Sequence, residues 1–198
     1  MAAQDSRTSS SLNLPVGSGG VAGAVAFLAG YVLTFLVKSG DVSDLLTRSL
    51  GEAQGSGLAL PGDWQVVGWM FFQMHNVATE TILTIGGQSQ TTTTAGSVES
   101  WLLLVPLVLL AAAGFVVARQ ATVTDTLAGA QAGAMVTVGY AVCTLLGGFL
   151  VTWSASGFGG GASISIGPPL LTGTLTAGLI YPLVVGAVGG ALGATTAE

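Results

Sequence analysis

Four apolar stretches dominate the chain, and none of them contains a charged residue. Each is long enough, as a helix, to cross about 30 Å of hydrocarbon. Because lipid offers no hydrogen-bond partners, a backbone that crosses it satisfies its polar groups within helices or closed barrels. We therefore predict an all-α integral membrane protein, a four-helix transmembrane bundle. The expected spans are residues 16–37, 101–118, 127–153 and 169–192.

The composition narrows the class of protein further. Of the 198 residues, 51% are hydrophobic and only 7% are charged, whereas soluble domains carry about 25% charged residues. The four basic residues cannot neutralise a nucleic-acid backbone. We therefore expect no nucleic-acid partner and no ordinary soluble enzyme. The acidic, lysine-poor composition is similar to that of proteins from salt-loving archaea.

The remaining segments set the domain organisation. Residues 1–15 form a polar N-terminal tail, and residues 16–193 form a single membrane domain. The first two spans are separated by a long extramembrane region, residues 38–100. In a later loop, the alternation of residues 163–166, SISI, indicates one short strand.

Residues 64–85 have the most amphipathic pattern in the extramembrane region. Plotted at about 100° per residue, apolar side chains such as Met70, Phe71 and Met74 fall on one side. We expect an amphipathic, extracellular helical cap between spans 1 and 2, which lies in the membrane interface or against the bundle, with Asp63 as its N-cap. A fifth span with its polar face toward its neighbours is the alternative.

Two aromatic residues interrupt the polar face of this expected helix. Exposed aromatic rings among polar groups are typical of protein interfaces. Rings that lie among lipid headgroups are the other interpretation. The candidate interaction surface comprises Trp69, Phe72, Gln73, His75, Asn76 and Glu80.

Small residues recur at four-residue spacing in the spans. Such residues let helix backbones approach closely in lipid. We expect packing within one bundle, and the alternative is a homo-oligomer or a membrane-protein partner. The candidate helix-packing residues are Gly19, Gly23, Gly129, Gly133, Gly139, Gly147, Gly186 and Gly190.

The residues suited to catalysis are few. His75 is the only histidine, and Cys143, the only cysteine, lies inside an apolar run. One histidine and one distant cysteine do not make a zinc site, and no Ser–His–acid set has a readable spacing. We therefore expect no enzyme activity, no cofactor and no metal.

The tryptophans suggest how the chain is oriented. With four spans, both termini and residues 119–126 lie on one side of the membrane. All four tryptophans then lie at the other side, where they form an interfacial belt. The basic residues divide equally between the two sides, so they do not determine the orientation of the chain. Because the loops on the tryptophan side are rich in Ser and Thr, we expect that side to be external and the termini to be cytoplasmic.

Three motifs give the chain a resemblance to a known family. They are GYVLTFLV at residues 30–37, GWMFFQMHNV at residues 68–77 and AGLIYPLVVGAVGGALG at residues 177–193. With these motifs the chain resembles a family of uncharacterised four-span membrane proteins of haloarchaea. The resemblance implies that Gly68, Trp69, Phe71, Phe72 and His75 lie in an extracellular segment. The family has further basic residues after the second span, where this chain has only Arg119.

These observations favour a structural, scaffold or accessory subunit of the cell membrane. It would act through helix packing and an external contact surface. The alternative is a small transporter or channel. Its solute would be neutral, because the spans contain no ionisable residue to mark an ion pathway. The expected partners are the lipid bilayer and, as a further possibility, a second copy or another membrane protein.

Overall fold

The computed structural model describes residues 14–54, 60–96, 98–157 and 161–196, and for residues 49–54 only the backbone. Within these ranges, apolar helices form a bundle and a four-stranded sheet lies beyond one end of it. The helices are α1 (Val16–Gln54), α2 (Asp63–Gln73), α3 (Leu104–Gln120), α4 (Thr126–Ala134), α5 (Val136–Val151), α6 (Leu170–Gly173) and α7 (Tyr181–Thr195).

Among the residues that the structure describes, three helical stretches are long and apolar enough to cross a membrane: Val16–Arg48, Thr126–Val151 and Leu170–Thr195. The apolar helix α3 is shorter, with 17 residues, a length of about 25 Å at 1.5 Å per residue. The chain is thus mostly helical, with apolar helices where the charge-free stretches predict them. The prediction of an all-α protein is wrong, because the loops also form a sheet.

The stretch Leu170–Thr195 is not a regular α-helix throughout. Residues Thr174–Ile180 form a π-helical segment between α6 and α7. It ends just before Pro182, which has no N–H and would clash with the carbonyl four residues earlier in an α-helix. The wider π turn lets the helix continue past the proline.

Glycines occupy the places where the helices approach each other most closely. A Cβ atom on Gly23 would overlap the carbonyl of Val136, and one on Gly133 would overlap the carbonyl of Gly186. A side chain there would push the backbones apart. At each of the eight candidate packing glycines, an added Cβ would come within 3.0 Å of a neighbouring helix: Gly19, Gly23, Gly129, Gly133, Gly139, Gly147, Gly186 and Gly190.

The same contacts show the direction of each helix. Along α1 and the α4–α5 stretch, contacts advance together from Gly19 against Met135 to Phe27 against Gly147, so the two run parallel. Along α4 and α7 the contacting residue numbers change in opposite directions, so these two helices are antiparallel. Along α3 and α7 they increase together, so these two helices are parallel. Apolar helices that follow one another in the chain therefore alternate in direction.

The sheet combines two hairpins from separate loops. Its strands are β1 (Thr79–Ile85), β2 (Gln88–Thr94), β3 (Trp153–Ser156) and β4 (Ser163–Gly167), in the order β2-β1-β4-β3 with all neighbours antiparallel. Gly86 and Gly87, both with positive φ, make the tight turn between β1 and β2. The expected short strand at residues 163–166 is confirmed as β4.

The expected helix over residues 64–85 is wrong in its second half. Helix α2 ends at Gln73, Asn76 adopts a left-handed φ of 57°, and Thr79–Ile85 is a strand. This strand pairs with neighbours on both sides, so sheet pairing overrides the helical pattern. The N-cap is Gly62, and Asp63 lies in the first turn instead.

Candidate functional site

Helix α2 and the turn after it, residues 63–76, form an inserted segment that packs into the end of the bundle against both α1 and α5. Val67 and Phe71 on α2 are fully buried. The hydroxyl of Tyr31 donates a 2.9 Å hydrogen bond to the carbonyl of Trp64. Helix α2 is thus shorter than predicted, with 11 residues, and it packs against the end of the bundle, which is one of the two placements expected for it.

A second bond attaches α2 to the end of α5. The indole Nε1–H of Trp69 donates to the carbonyl of Val151 at 2.8 Å. This carbonyl is in the last turn of α5, where no helical N–H is available to it. Trp69 therefore satisfies a group that would otherwise lack a partner.

The turn after α2 is irregular backbone inside the protein. Met74 and His75 are buried, so the polar groups of the turn need partners within the chain. The N–H of His75 donates to the carbonyl of Phe72 at 2.9 Å, and that of Asn76 donates to Gln73 at 3.0 Å. These internal bonds satisfy the polar backbone groups of the turn within the protein.

His75 lies at the centre of this inserted segment, with 1% of its surface exposed. Its Nδ1 is 2.8 Å from the carbonyl oxygen of Phe71, and since a carbonyl only accepts, Nδ1 carries the proton. Nε2 therefore accepts a hydrogen bond from the hydroxyl of Tyr140, 2.6 Å away. Burial lowers the pKa of His75 to about 4, so the ring is neutral at pH 7.

Aromatic rings surround this histidine. Phe71 and Tyr181 meet it edge to face, with ring centroids 5.0 and 5.1 Å away. Phe27 packs in the same way on Phe71 and on Tyr140, at 5.2 Å each. Edge-to-face contacts of this kind are favourable beyond the area they bury. The cluster joins α1, α2, α5 and α7.

An apolar cleft of about 340 Å³ lies beside the cluster, between α1, α2 and α5. Aromatic rings from α1 and α2 form its inner wall, and α5 contributes Cys143 and Gly147. The volume falls in the roughly 300–1,000 Å³ range of ligand sites. The lining residues are Phe27, Leu28, Tyr31, Trp64, Gly68, Phe71, Phe72, Cys143, Leu146, Gly147, Leu150 and Val151.

The aromatic members of the predicted interaction surface lie mostly inside the protein. Phe72 is 3% exposed and His75 1% exposed, and half-buried Trp69 uses its indole N–H within the chain. The expectation of an exposed aromatic surface is therefore wrong for Phe72 and His75. These rings are buried in the apolar interior at the end of the bundle, where they avoid contact with water.

The polar members are dispersed. The side chain of Gln73 donates to the hydroxyl of Thr79 at 3.0 Å. Asn76 is exposed in the turn, while Glu80 is half-buried on β1. The structure therefore does not bring the six predicted residues together on one accessible face.

Lys38 forms an ion-pair site that sequence reasoning did not identify. Its side chain is 10% exposed and binds Asp41 at 3.0 Å and also Glu99. The hydrogen bond from Lys38 holds the pKa of Glu99 below its usual range. Glu99 is 61 positions away in sequence, so no local pattern indicates the pair. It ties α1 to the segment that leads into α3.

The apolar lining of the cleft is suited to binding apolar groups. In the part of the chain that the structure describes, no group of three or more His, Cys, Asp or Glu side chains could hold a metal ion. The buried His75–Tyr140 pair fixes the position of α2, and α2 in turn forms one wall of the cleft.

Comparison with known proteins identifies the chain only at the level of its family. No curated protein matches it, and no solved structure does. One family model matches residues 1–197, which is nearly the whole chain. The chain therefore belongs to a family of unknown function, DUF7978.

Proposed function

We propose that this chain is a multi-pass membrane protein that acts as a structural, scaffold or accessory subunit. The helices expose large apolar side chains on their outer faces, among them Leu36 at 71%, Phe149 at 69% and Leu171 at 75%. A soluble monomer rarely exposes apolar surface this extensively, whereas lipid would cover it. The helices would anchor the protein, and the sheet would carry the contact surface.

Four spans are part of this proposal, with α3 as the shortest. The alternating directions of the helices support it, as does a hydrogen bond from Arg119 to the carbonyl of Thr196. This bond joins the C-terminal ends of α3 and α7. We place these ends and both termini in the cytoplasm of a haloarchaeal cell, and the Ser- and Thr-rich sheet outside it.

The outer edge of β2 is the observation that carries the scaffold proposal. β2 is an edge strand, and all seven of its residues, QSQTTTT, are exposed. Edge strands of monomeric proteins are usually protected by charges, proline or bulges, yet this one contains no charge and no proline. An extended segment of a partner would add to it as a further strand.

Lysines on the edge strand test this proposal. We would introduce Thr91→Lys with Thr93→Lys on β2, and Ser154→Lys with Ser156→Lys on β3 as the matched control. All four positions lie on the same face of the sheet, so the two variants add equal charge at opposite edges. The measurement is mass spectrometry of proteins captured with the tagged chain after cross-linking in its native membrane.

We expect the β2 variant to lose a partner that the wild type and the β3 variant retain. Equal capture by all three proteins would contradict the proposed contact surface. If nothing is captured and the reconstituted protein conducts a neutral solute, the transporter alternative is the better description.

A further inference from the structure

We propose that the cleft between α1, α2 and α5 binds one hydrocarbon chain of a bilayer lipid. This inference rests on the proposed membrane location and goes beyond it, since it assigns a ligand to a particular site. The cleft is lined by aromatic and aliphatic side chains, two glycines and one cysteine.

The mouth of the cleft is continuous with the outer apolar surface of the spans. Leu28 on α1 is 55% exposed, and Leu146 and Leu150 on α5 are 57% and 61% exposed. These residues form part of the cleft lining and part of the outer surface at the same time. A lipid chain lying beside the protein would therefore enter sideways without leaving its apolar surroundings.

The inner end of the cleft is closed by rings. Phe71 is 1% exposed and Phe27 is 6% exposed, and they pack edge to face at 5.2 Å. Gly68 and Gly147 line the cleft without filling it, because they have no side chains. The result is a site with an open side toward lipid and a closed aromatic end, which suits a flexible chain.

The chemistry of the lining excludes polar occupants. Tyr31 is the residue there with a hydroxyl, and that hydroxyl already donates to the carbonyl of Trp64. A polar solute would lose its hydrogen bonds to water and gain few in return. The helix of a second copy is also excluded, because a helix about 10–12 Å across does not fit into about 340 Å³.

An empty cleft would also be unfavourable. Atoms that line a void lack dispersion contacts on one side, and water would find no polar partners there. Because surrounding lipid is itself apolar, the gain on binding comes from packing against the rings. The high local concentration of lipid would keep the site occupied.

Photo-cross-linking in vesicles tests the inference. The protein would be reconstituted in phosphatidylcholine vesicles that contain phosphatidylcholine with a diazirine in one acyl chain. After irradiation, mass spectrometry maps the modified residues. Phe71 and Cys143 report on the cleft interior, and Val142 and Phe149, which are 56% and 69% exposed, report on the outer surface.

We expect modification of Phe71 and Cys143 as well as of the outer residues. Leu146→Trp, which fills the mouth of the cleft, should reduce the interior signal several-fold. Val142→Trp, on the same helix but outside the cleft, should leave it unchanged. The map of modified residues in the wild-type protein is informative even if Leu146→Trp fails to fold.

The outcomes separate this inference from the proposed membrane location. If outer residues are modified while Phe71 and Cys143 are not, the lipid-chain site is refuted and the membrane location stands. An interior signal that persists equally in Leu146→Trp would also overturn the assignment. If no helix residue is modified, the protein is not inserted and both proposals fail.

Discussion

The hydroxyl of Tyr140 donates a 2.6 Å hydrogen bond to Nε2 of His75, and both residues are 1% exposed. One lies on α5 and the other in the turn after α2, so the bond joins an inserted segment to the bundle. The opposite ring nitrogen donates to the carbonyl of Phe71, which leaves His75 with both nitrogens satisfied. At 1% exposure, neither side chain can exchange a lost partner for bulk water.

Removing the hydroxyl of Tyr140 should therefore destabilise the fold. In Tyr140→Phe, Nε2 of His75 remains buried without a donor, at a cost of about 1–3 kcal/mol. Tyr181→Phe is the matched control, because Tyr181 contacts His75 through its ring. The measurement is the free energy of unfolding in mild detergent. We expect a clearly larger loss for Tyr140→Phe, and equal losses would show that the hydrogen bond contributes little.

Stability should depend on pH through the same histidine. Burial lowers the pKa of His75 from 6.5 to about 4, so between these values the unfolded chain binds a proton that the folded protein does not. Stability is then greatest above pH 6.5 and falls by about 1.4 kcal/mol per pH unit down to pH 4. The melting temperature measured at pH 7 and pH 5 should differ in the wild type.

His75→Gln provides the comparison for this pH effect. It removes the titrating group while keeping a polar side chain at the site. We expect the variant to be less stable at pH 7 but to lose little more between pH 7 and pH 5. A variant that loses as much as the wild type would assign the pH dependence to other groups.

Much of the helical architecture could be predicted from the sequence, and the reason is physical. Charged residues are excluded from lipid-facing stretches, so gaps in the charge pattern mark the apolar helices directly. Small residues at four-residue spacing likewise indicate where helices cross closely. Gly133 and Gly190 illustrate this, because each would clash with the opposite helix if it carried a Cβ atom.

The inserted segment and the strand β1 could not be predicted in the same way, although alternation did predict β4. Residues 79–85 fit a helical pattern locally and become a strand because β2 and β4 pair with them. His75 looks like part of a solvated face, and its burial depends on Tyr140, 65 positions away. Non-local contacts decide both outcomes, and one sequence contains no local sign of them.

A single methyl group at a helix crossing should test the packing of α1 on α5. An added Cβ on Gly139 would overlap the carbonyl of Gly20, so Gly139→Ala should separate the helices and cost about 1–3 kcal/mol, as overpacking does. Gly40→Ala on α1 is the control, because nothing lies within 4 Å of an added Cβ there. It should be neutral or stabilising by about 0.5–1 kcal/mol. Similar melting temperatures for the two variants would contradict the close crossing.

The ion pairs of Lys38, whose own side chain is 10% exposed, should matter more than the exposed pair of Arg48 and Asp44. In Glu99→Gln the ammonium of Lys38 keeps Asp41 as a partner but loses the carboxylate of Glu99. Because the Lys38 side chain is only 10% exposed, water replaces this partner poorly. Asp44→Asn disturbs the exposed pair with Arg48, whose atoms are 3.8 Å apart, and exposed pairs contribute little. We expect Glu99→Gln to lower the melting temperature and Asp44→Asn to leave it almost unchanged. The reverse order would show that Lys38 does not depend on Glu99.

Cysteine labelling should decide the four-span topology. In a Cys143→Ser background, Ser89→Cys places a thiol on the exposed β2 strand and Ser156→Cys places one on β3. Both belong to one sheet, so an impermeant maleimide should label them from the same side of sealed vesicles. Thr124→Cys, in the exposed link between α3 and α4, should be labelled only from the other side, since α3 separates it from the sheet. If Thr124→Cys were labelled together with Ser89→Cys, α3 would not cross the membrane and only the three longer helices would remain as spans.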